Sequence, residues 1–276
     1  MPTVGGHLQQ LAPGVHTWLS EPAGHGQTNA GVIVDDDGVT LIDCLLAPAL
    51  AAPLAEEIAA SQLPVRRVVY TSSHVEFTGG SSVFWMAARY GRRQTSALLD
   101  QPANPAVYRA LYPDHAQAFD DDFATRPVSH TVDTAAWLSP TVCALPTAGQ
   151  QHENLVALLP AADVLFAGAM CSFGVTPNAF DGDPEAWADA LSELAGLATT
   201  IVPGIGPVGG ADDLLALQAY LYSCVEAGGD PSRVPPGPWD RWADRHLDAV
   251  NVERAAMLAA GDDGVPPSML RLAGLA

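Results

Sequence analysis

The stretch Val65-Arg66-Arg67-Val68-Val69-Tyr70-Thr71-Ser72-Ser73-His74-Val75-Glu76-Phe77-Thr78-Gly79-Gly80 carries more of this chain's fold than any other. Its first six residues are mostly β-branched or aromatic and read as a strand, and the small polar residues Thr71-Ser72-Ser73 end it. A histidine and a glutamate two positions apart then lead into Gly79-Gly80, which opens a helical stretch through Arg89. Upstream, Leu50 to Gln62 has Ala, Leu, Glu and Ile at helical spacing, so Val65 to Tyr70 is the return limb of a strand, helix, strand unit. Before that unit, Val15 to Ser20, Gly31 to Val34 and Val39 to Leu46 read as apolar strands, the last two joined through Asp35-Asp36-Asp37-Gly38 as a hairpin.

Downstream, Pro102 to Ala124 is a helical or loop-rich excursion. The alternation then resumes: Thr141 to Leu145, Leu155 to Leu159 and Val164 to Gly168 as strands, Pro184 to Leu197 as a helix with proline at its start, Thr199 to Val202 as a strand and Ala211 to Ala227 as a helix. Gly228-Gly229-Asp230-Pro231 and Pro235-Pro236-Gly237-Pro238 form a linker to an amphipathic segment from Trp239 to Ala260. The expected division is a main domain, 1–228, and a C-terminal helical extension, 229–276, packed on it. Hairpins and helices in both halves suggest an α/β sandwich of two sheets packed face to face with helices outside.

Twelve basic residues against thirty-one acidic ones give a net charge of −19, which argues against nucleic acid or an anionic membrane surface as partner. All the basic residues are arginine, so chemistry that needs a lysine, as a Schiff base or in a phosphate loop, is excluded. The opening residues lack a charged and apolar leader, no run reads as a membrane span, and Cys44, Cys143, Cys171 and Cys224 are widely spaced. A cytoplasmic protein with reduced thiols is the expectation.

Four stretches together resemble the metallo-β-lactamase superfamily: Gly31 to Leu46, ending in Leu41-Ile42-Asp43; Thr71 to Gly80; Leu158-Leu159-Pro160 through Gly168-Ala169; and Val202-Pro203-Gly204-Ile205-Gly206-Pro207. The resemblance implies an αββα four-layer sandwich, two mixed sheets with helices outside, and an active-site groove at one sheet edge. In that family two metal ions, usually zinc, are held by a His-x-His-x-Asp-His loop, a later His, a bridging Asp and a final His. Carried onto this chain, those positions are Ser72, His74, Glu76, Phe77, Gln150, Ala169 and Ile205, of which only His74 is unchanged. Zinc needs three or four converging nitrogen, sulfur or carboxylate ligands, so the expectation is no metal and no cofactor. His152 would restore one imidazole only if the entry to the following strand were shifted by two residues.

The other candidates have plain structural readings beside the functional ones. His74 is a retained acid/base or a satisfied packing histidine, and Glu76 is its acidic partner or the cap of the following helix. His25 lies in the Gly-rich loop Glu21 to Asn29, which in the family leans over the groove. Cys171 reads as an inert buried thiol, Ser72 as a nucleophile only if His74 or Glu76 acts as its base, and Asp181-Gly182-Asp183-Pro184 as a helix N-cap. Three functions follow, in order of preference. The first is a metal-independent enzyme, such as one of bacterial specialised metabolism, acting on a small organic molecule with His74 and Glu76 catalytic and Ser72, Phe77, His25, Gln150, His152, Ala169 and Ile205 lining the site. The second is a non-catalytic binding or interaction protein. The third is a mononuclear metallohydrolase of esters, thioesters or lactones using His74, Glu76 and His152.

Overall fold

Alternation along the strands decides which layer each side chain enters. The computed structural model describes residues 5–275. One sheet runs, in spatial order, β1 (Gly5–Ala12), β2 (Val15–Glu21), β3 (Ala30–Asp35), β4 (Gly38–Ile42), β5 (Val65–Val69), β6 (Ala88–Gly91) and β7 (His130–Thr131). It is antiparallel through β4 and parallel from there on. The second sheet contains β8 (Ala136–Trp137), β9 (Cys143–Thr147), β10 (Asn154–Leu159), β11 (Val164–Ser172) and β12 (Thr200–Ile205), ordered from β12 back to β8. Only its β11–β12 pair is parallel.

Residues two apart share a face, so Ile33, Ile42 and Val69 meet Leu155, Ala157, Leu159 and Phe166 between the sheets. Their neighbours Val32, Leu41 and Val68 point outward beneath helix α1 (Pro48–Ala59) through Ala51, Leu54 and Ile58. On the other side, Val156, Leu165 and Ala167 pack outward into a core with Leu191, Leu214 and Leu217. These layers are the expected αββα sandwich.

Between β5 and β7 the chain forms the short helices α2 (Val75–Thr78), α3 (Arg93–Leu99) and α4 (Pro105–Leu111). Helices α5 (Pro184–Leu194) and α6 (Ala211–Glu226) cover the second sheet, and α7 (Asp248–Ala259) and α8 (Pro267–Leu272) close the chain. Beyond α6, Trp239 and Val252 join the core beneath α5 and α6, while Leu247, Val250 and Met269 pack with Leu111 and Phe180. Among the described residues no helix is long and apolar enough to cross a membrane, and all four cysteines are buried free thiols.

One local expectation is corrected. The helical stretch expected from Gly79 to Arg89 is only a single tight turn, Gly79–Ser82, directly after α2, and its end lies in strand β6. The reason is close backbone approach: a Cβ on Gly79 would lie 1.8 Å from the Leu46 carbonyl oxygen and one on Gly80 2.0 Å from that of Cys44. The N-terminal segment, which carries no strand signal of its own, pairs antiparallel with β2 as β1.

The sheets are joined at the groove edge by a buried carboxylate. Asp43, directly after β4, accepts hydrogen bonds from the Thr71 backbone N–H at 2.8 Å and the Thr71 hydroxyl at 2.7 Å. The same hydroxyl accepts from the Ala169 N–H in β11 at 3.0 Å, and the Thr71 carbonyl accepts from the Leu155 N–H of β10 at 3.1 Å. Gly168 leaves room for this, because at its φ of +51° a Cβ would fall 2.4 Å from the Thr71 side chain.

Burial pushes the Asp43 carboxyl from 3.8 up to about 7, against the two Thr71 hydrogen bonds. The folded value lies above the unfolded one, so this group's stabilisation is complete below about pH 3.8 and is lost as pH rises towards about 7. The loss is on the order of 4 kcal/mol at about 1.4 kcal/mol per pH unit. Urea denaturation at several pH values between 4 and 8 should therefore show a falling stability in the native protein and a flatter profile in Asp43→Asn; parallel profiles would refute the assignment.

Candidate functional site

Thr71 follows β5 at the junction of the sheets, and the chain then runs over the groove as Ser72-Ser73-His74 before α2 begins. His74 is held on three sides. Its Nε2 lies 2.9 Å from Asp181 Oδ2, its Nδ1 lies 3.0 Å from Gln150 Nε2, and its ring stacks on Phe180 with centroids 5.2 Å apart. Gln150 is itself oriented, because its Oε1 accepts from Asn154 Nδ2 at 2.9 Å and Asn154 Nδ2 also reaches the Thr71 carbonyl at 3.1 Å. The Gln150 amide therefore donates to Nδ1, which sets the neutral ring's proton on Nε2, toward Asp181.

Burial disfavours the charged ring, but the charge and hydrogen bond of Asp181 and then the charge of Glu76 outweigh it and raise the His74 pKa above 6.5. Asp181 is lowered for the matching reason: burial alone would raise it, but His74 and the Gln151 amide stabilise the carboxylate. Gln151 clamps the loop from the other side. Its Oε1 accepts from Ser72 Oγ at 2.8 Å and from the Ser73 N–H at 3.0 Å, while its Nε2 donates to Asp181 Oδ2 at 3.2 Å.

The loop bearing Phe180 and Asp181 is fastened by α7. Asn251 accepts from the Ala179 N–H at 2.9 Å and donates to the Pro177 carbonyl at 2.8 Å; buried Arg254 donates to the Gly182 carbonyl at 2.7 Å. The C-terminal segment thus positions a site residue.

Glu76, in the first turn of α2, is 7 % exposed. Its Oε1 accepts from the Gly26 N–H at 3.2 Å and lies 3.3 Å from His25 Nδ1. His25 stacks on Tyr112 with centroids 4.9 Å apart, and its backbone N–H donates to Asp244 at 2.8 Å. Burial, followed by the neighbouring Glu76 carboxylate, pushes the Tyr112 phenol well above its usual value and keeps it protonated.

A cavity of about 380 Å³ opens between these groups. Of the residues expected at the site, His25, His74, Glu76, Phe77, Gln150, Ala169 and Ile205 line it. Two expectations are corrected. Ser72 is fully buried behind the wall and spends its hydroxyl on Gln151, so no base activates it as a nucleophile. His152 is exposed and off the cavity, because β10 pairs in the register that brings Gln150 inward. The pairing of His74 with Glu76 is also replaced, by His74–Asp181 and His25–Glu76. Asp183, not Asp181, caps α5, accepting from the N–H groups of Glu185 and Ala186. Cys171 lines the cavity, and burial holds its thiol far above the range of a reactive thiolate. Asp181 and Gln151 escaped sequence reasoning; the only available sign was the polar doublet Gln150-Gln151 at the end facing the groove.

A family model for the metallo-beta-lactamase superfamily matches residues 23–206, more than half of the chain. Among solved structures, the chain is similar to VMB-1, with 20% identity over 80% of this chain and 98% of that one and a TM-score of 0.64. The mono-zinc form of the metallo-β-lactamase FIM-1 from Pseudomonas aeruginosa gives 19% identity, 84% and 98% coverage and a TM-score of 0.61. A metallo-β-lactamase from Pontibacter korlensis gives 20%, 77% and 98%, and 0.60. At these identities the structural likeness is one of fold. The residues present do not fit a zinc centre: both His74 ring nitrogens are engaged, and Phe77, Ala169 and Ile205 offer only hydrocarbon. Among the described residues, no three His, Cys, Asp or Glu side chains converge as ligands.

The His74–Asp181 pair predicts a pH signature. NMR titration of the His74 ring should give a midpoint above 6.5, and Asp181→Asn should bring it down by removing the first of the two raising charges. The pair's contribution to stability is complete between about pH 3.8 and 6.5; it is lost as pH rises through the raised His74 value and as pH falls through the lowered Asp181 value. An unchanged midpoint in Asp181→Asn would show that the carboxylate does not hold the proton.

Proposed function

The chain belongs to the metallo-beta-lactamase superfamily, and we propose that it is a metal-independent enzyme carrying out acid/base chemistry on a small, largely apolar organic molecule in the inherited groove. The observation that supports this most is that two imidazole–carboxylate pairs, His74–Asp181 and His25–Glu76, face one cavity whose remaining wall is mainly hydrocarbon and aromatic. Proton transfer by positioned groups of this kind contributes about 10² to 10⁴ in rate. In an apolar cavity their charges are weakly screened, which strengthens each pair and keeps water from competing for the proton.

In this reading Asp181 is a positioning residue that fixes the His74 ring and stabilises it when protonated. A polar group of the substrate displaces the Gln150 amide from Nδ1 and takes or supplies the proton there. Glu76, held by the Gly26 N–H and His25, is the complementary acid or base. The second reading, a binding protein on the same scaffold, is favoured by one observation: both His74 nitrogens already have partners.

Turnover separates the two. Chelator-treated protein would be offered a panel of uncharged aryl esters, lactones and enolisable ketones, with hydrolysis and deuterium uptake from D2O as readouts. The expected result is turnover that falls about 10² to 10⁴-fold in His74→Ala and in Glu76→Gln, and little in Cys171→Ala. Binding without turnover would establish the second reading, and turnover lost in Cys171→Ala with His74→Ala unaffected would place the chemistry on the thiol.

A further inference from the structure

We propose that the ligand of this cavity is an amine, carried as a cation on an apolar body; the inference rests on the acid/base reading only for the location of the site. Glu76 and Asp181 both line the cavity, and among the described residues no arginine lines it, in a chain that contains no lysine. Its titratable counterweights are His25 and His74. An anionic ligand would find no permanent positive charge there and two carboxylates at close range, an arrangement that costs more as water is excluded.

A further observation points to a cation. Tyr108, Tyr112, Phe180 and Trp187 supply aromatic rings to the same wall, the surface that stabilises an alkylammonium group through its quadrupole. A neighbouring cavity of about 390 Å³ shares His25 and Tyr112 with the first, is lined by Asp114, Asp244, His115 and His246, and again has no arginine among its lining residues. With a net charge of −19, the chain draws cations toward both openings.

The test is calorimetry at pH 7 with three probes of one shape: 1-naphthylmethylamine, 1-naphthylmethanol and 1-naphthoate. The amine should bind about tenfold or more tightly than the alcohol, and naphthoate more weakly than either. Glu76→Gln should bring the amine to within about threefold of the alcohol, the ratio of the two affinities in the same variant being the readout. Should that variant fail to fold, raising the salt concentration on the native protein decides the same point, because only the amine's affinity should fall. Naphthoate binding as tightly as the amine, equal binding of amine and alcohol, or binding of none of the three overturns the proposal. Amine preference without any turnover leaves the proposal standing and removes the acid/base reading. Turnover of neutral ketones without amine preference does the reverse.

Discussion

The hydrogen bonds between Asp43 and Thr71 are the constraint on which the rest of the site is built. Asp43 comes from the strand edge of one sheet, and Thr71 passes the connection on to Ala169 and Leu155 of the other. Because this contact is buried, its geometry is enforced by the cost of leaving any of its polar groups unpaired. From Thr71 a single line of bonds runs through Asn154 and Gln150 to His74 and ends at Asp181. The position of the embedded imidazole is therefore set by the junction of the sheets.

In the mono-zinc form of a related fold, an ion is part of the structure. In this chain the side chains around His74 converge through hydrogen bonds from Gln150 and to Asp181, with Gln151 joining Asp181 to the Ser72-Ser73 loop. A metal fixes ligands by strong directional bonds and acidifies water. A hydrogen-bonded imidazole between a carboxylate and an amide does neither, but it can change protonation state near neutrality, and the Asp181–His74 pair is arranged for that. Phe77, Ala169 and Ile205, which the family's motif order places at ligand positions, line the cavity instead, and the proposed function takes them as binding surface.

Much of this was legible in the sequence. The hairpin of β3 and β4, helix α1 and strand β5 follow from strong alternation and helical spacing, and the positions His74, Glu76, Phe77, Gln150, Ala169 and Ile205 follow from the family's order of motifs. Strands β1 and β6 were not legible, since Gly5–Ala12 is polar and Gly-containing and Ala88–Gly91 is only four residues long; both take their form from pairing with neighbours. The partners of the two acid/base groups were hidden for a different reason. Asp181 stands 107 residues from His74, beside an Asp183-Pro184 pair that has every mark of a helix cap, and only tertiary packing by Asn251 and Arg254 turns its loop to the groove. His25 and Glu76 likewise meet because α2 lies against the Gly26 loop.

The central claim is that this site is held together by hydrogen bonds between side chains with no role for an ion. Zinc titrated calorimetrically into metal-stripped protein, with the melting temperature followed in parallel, tests it most directly. The account predicts no saturable uptake and an unchanged melting temperature, since no metal-binding free energy is coupled to folding. Saturable binding of one or two zinc ions per chain, with a rise in melting temperature that disappears in His74→Ala, would contradict it.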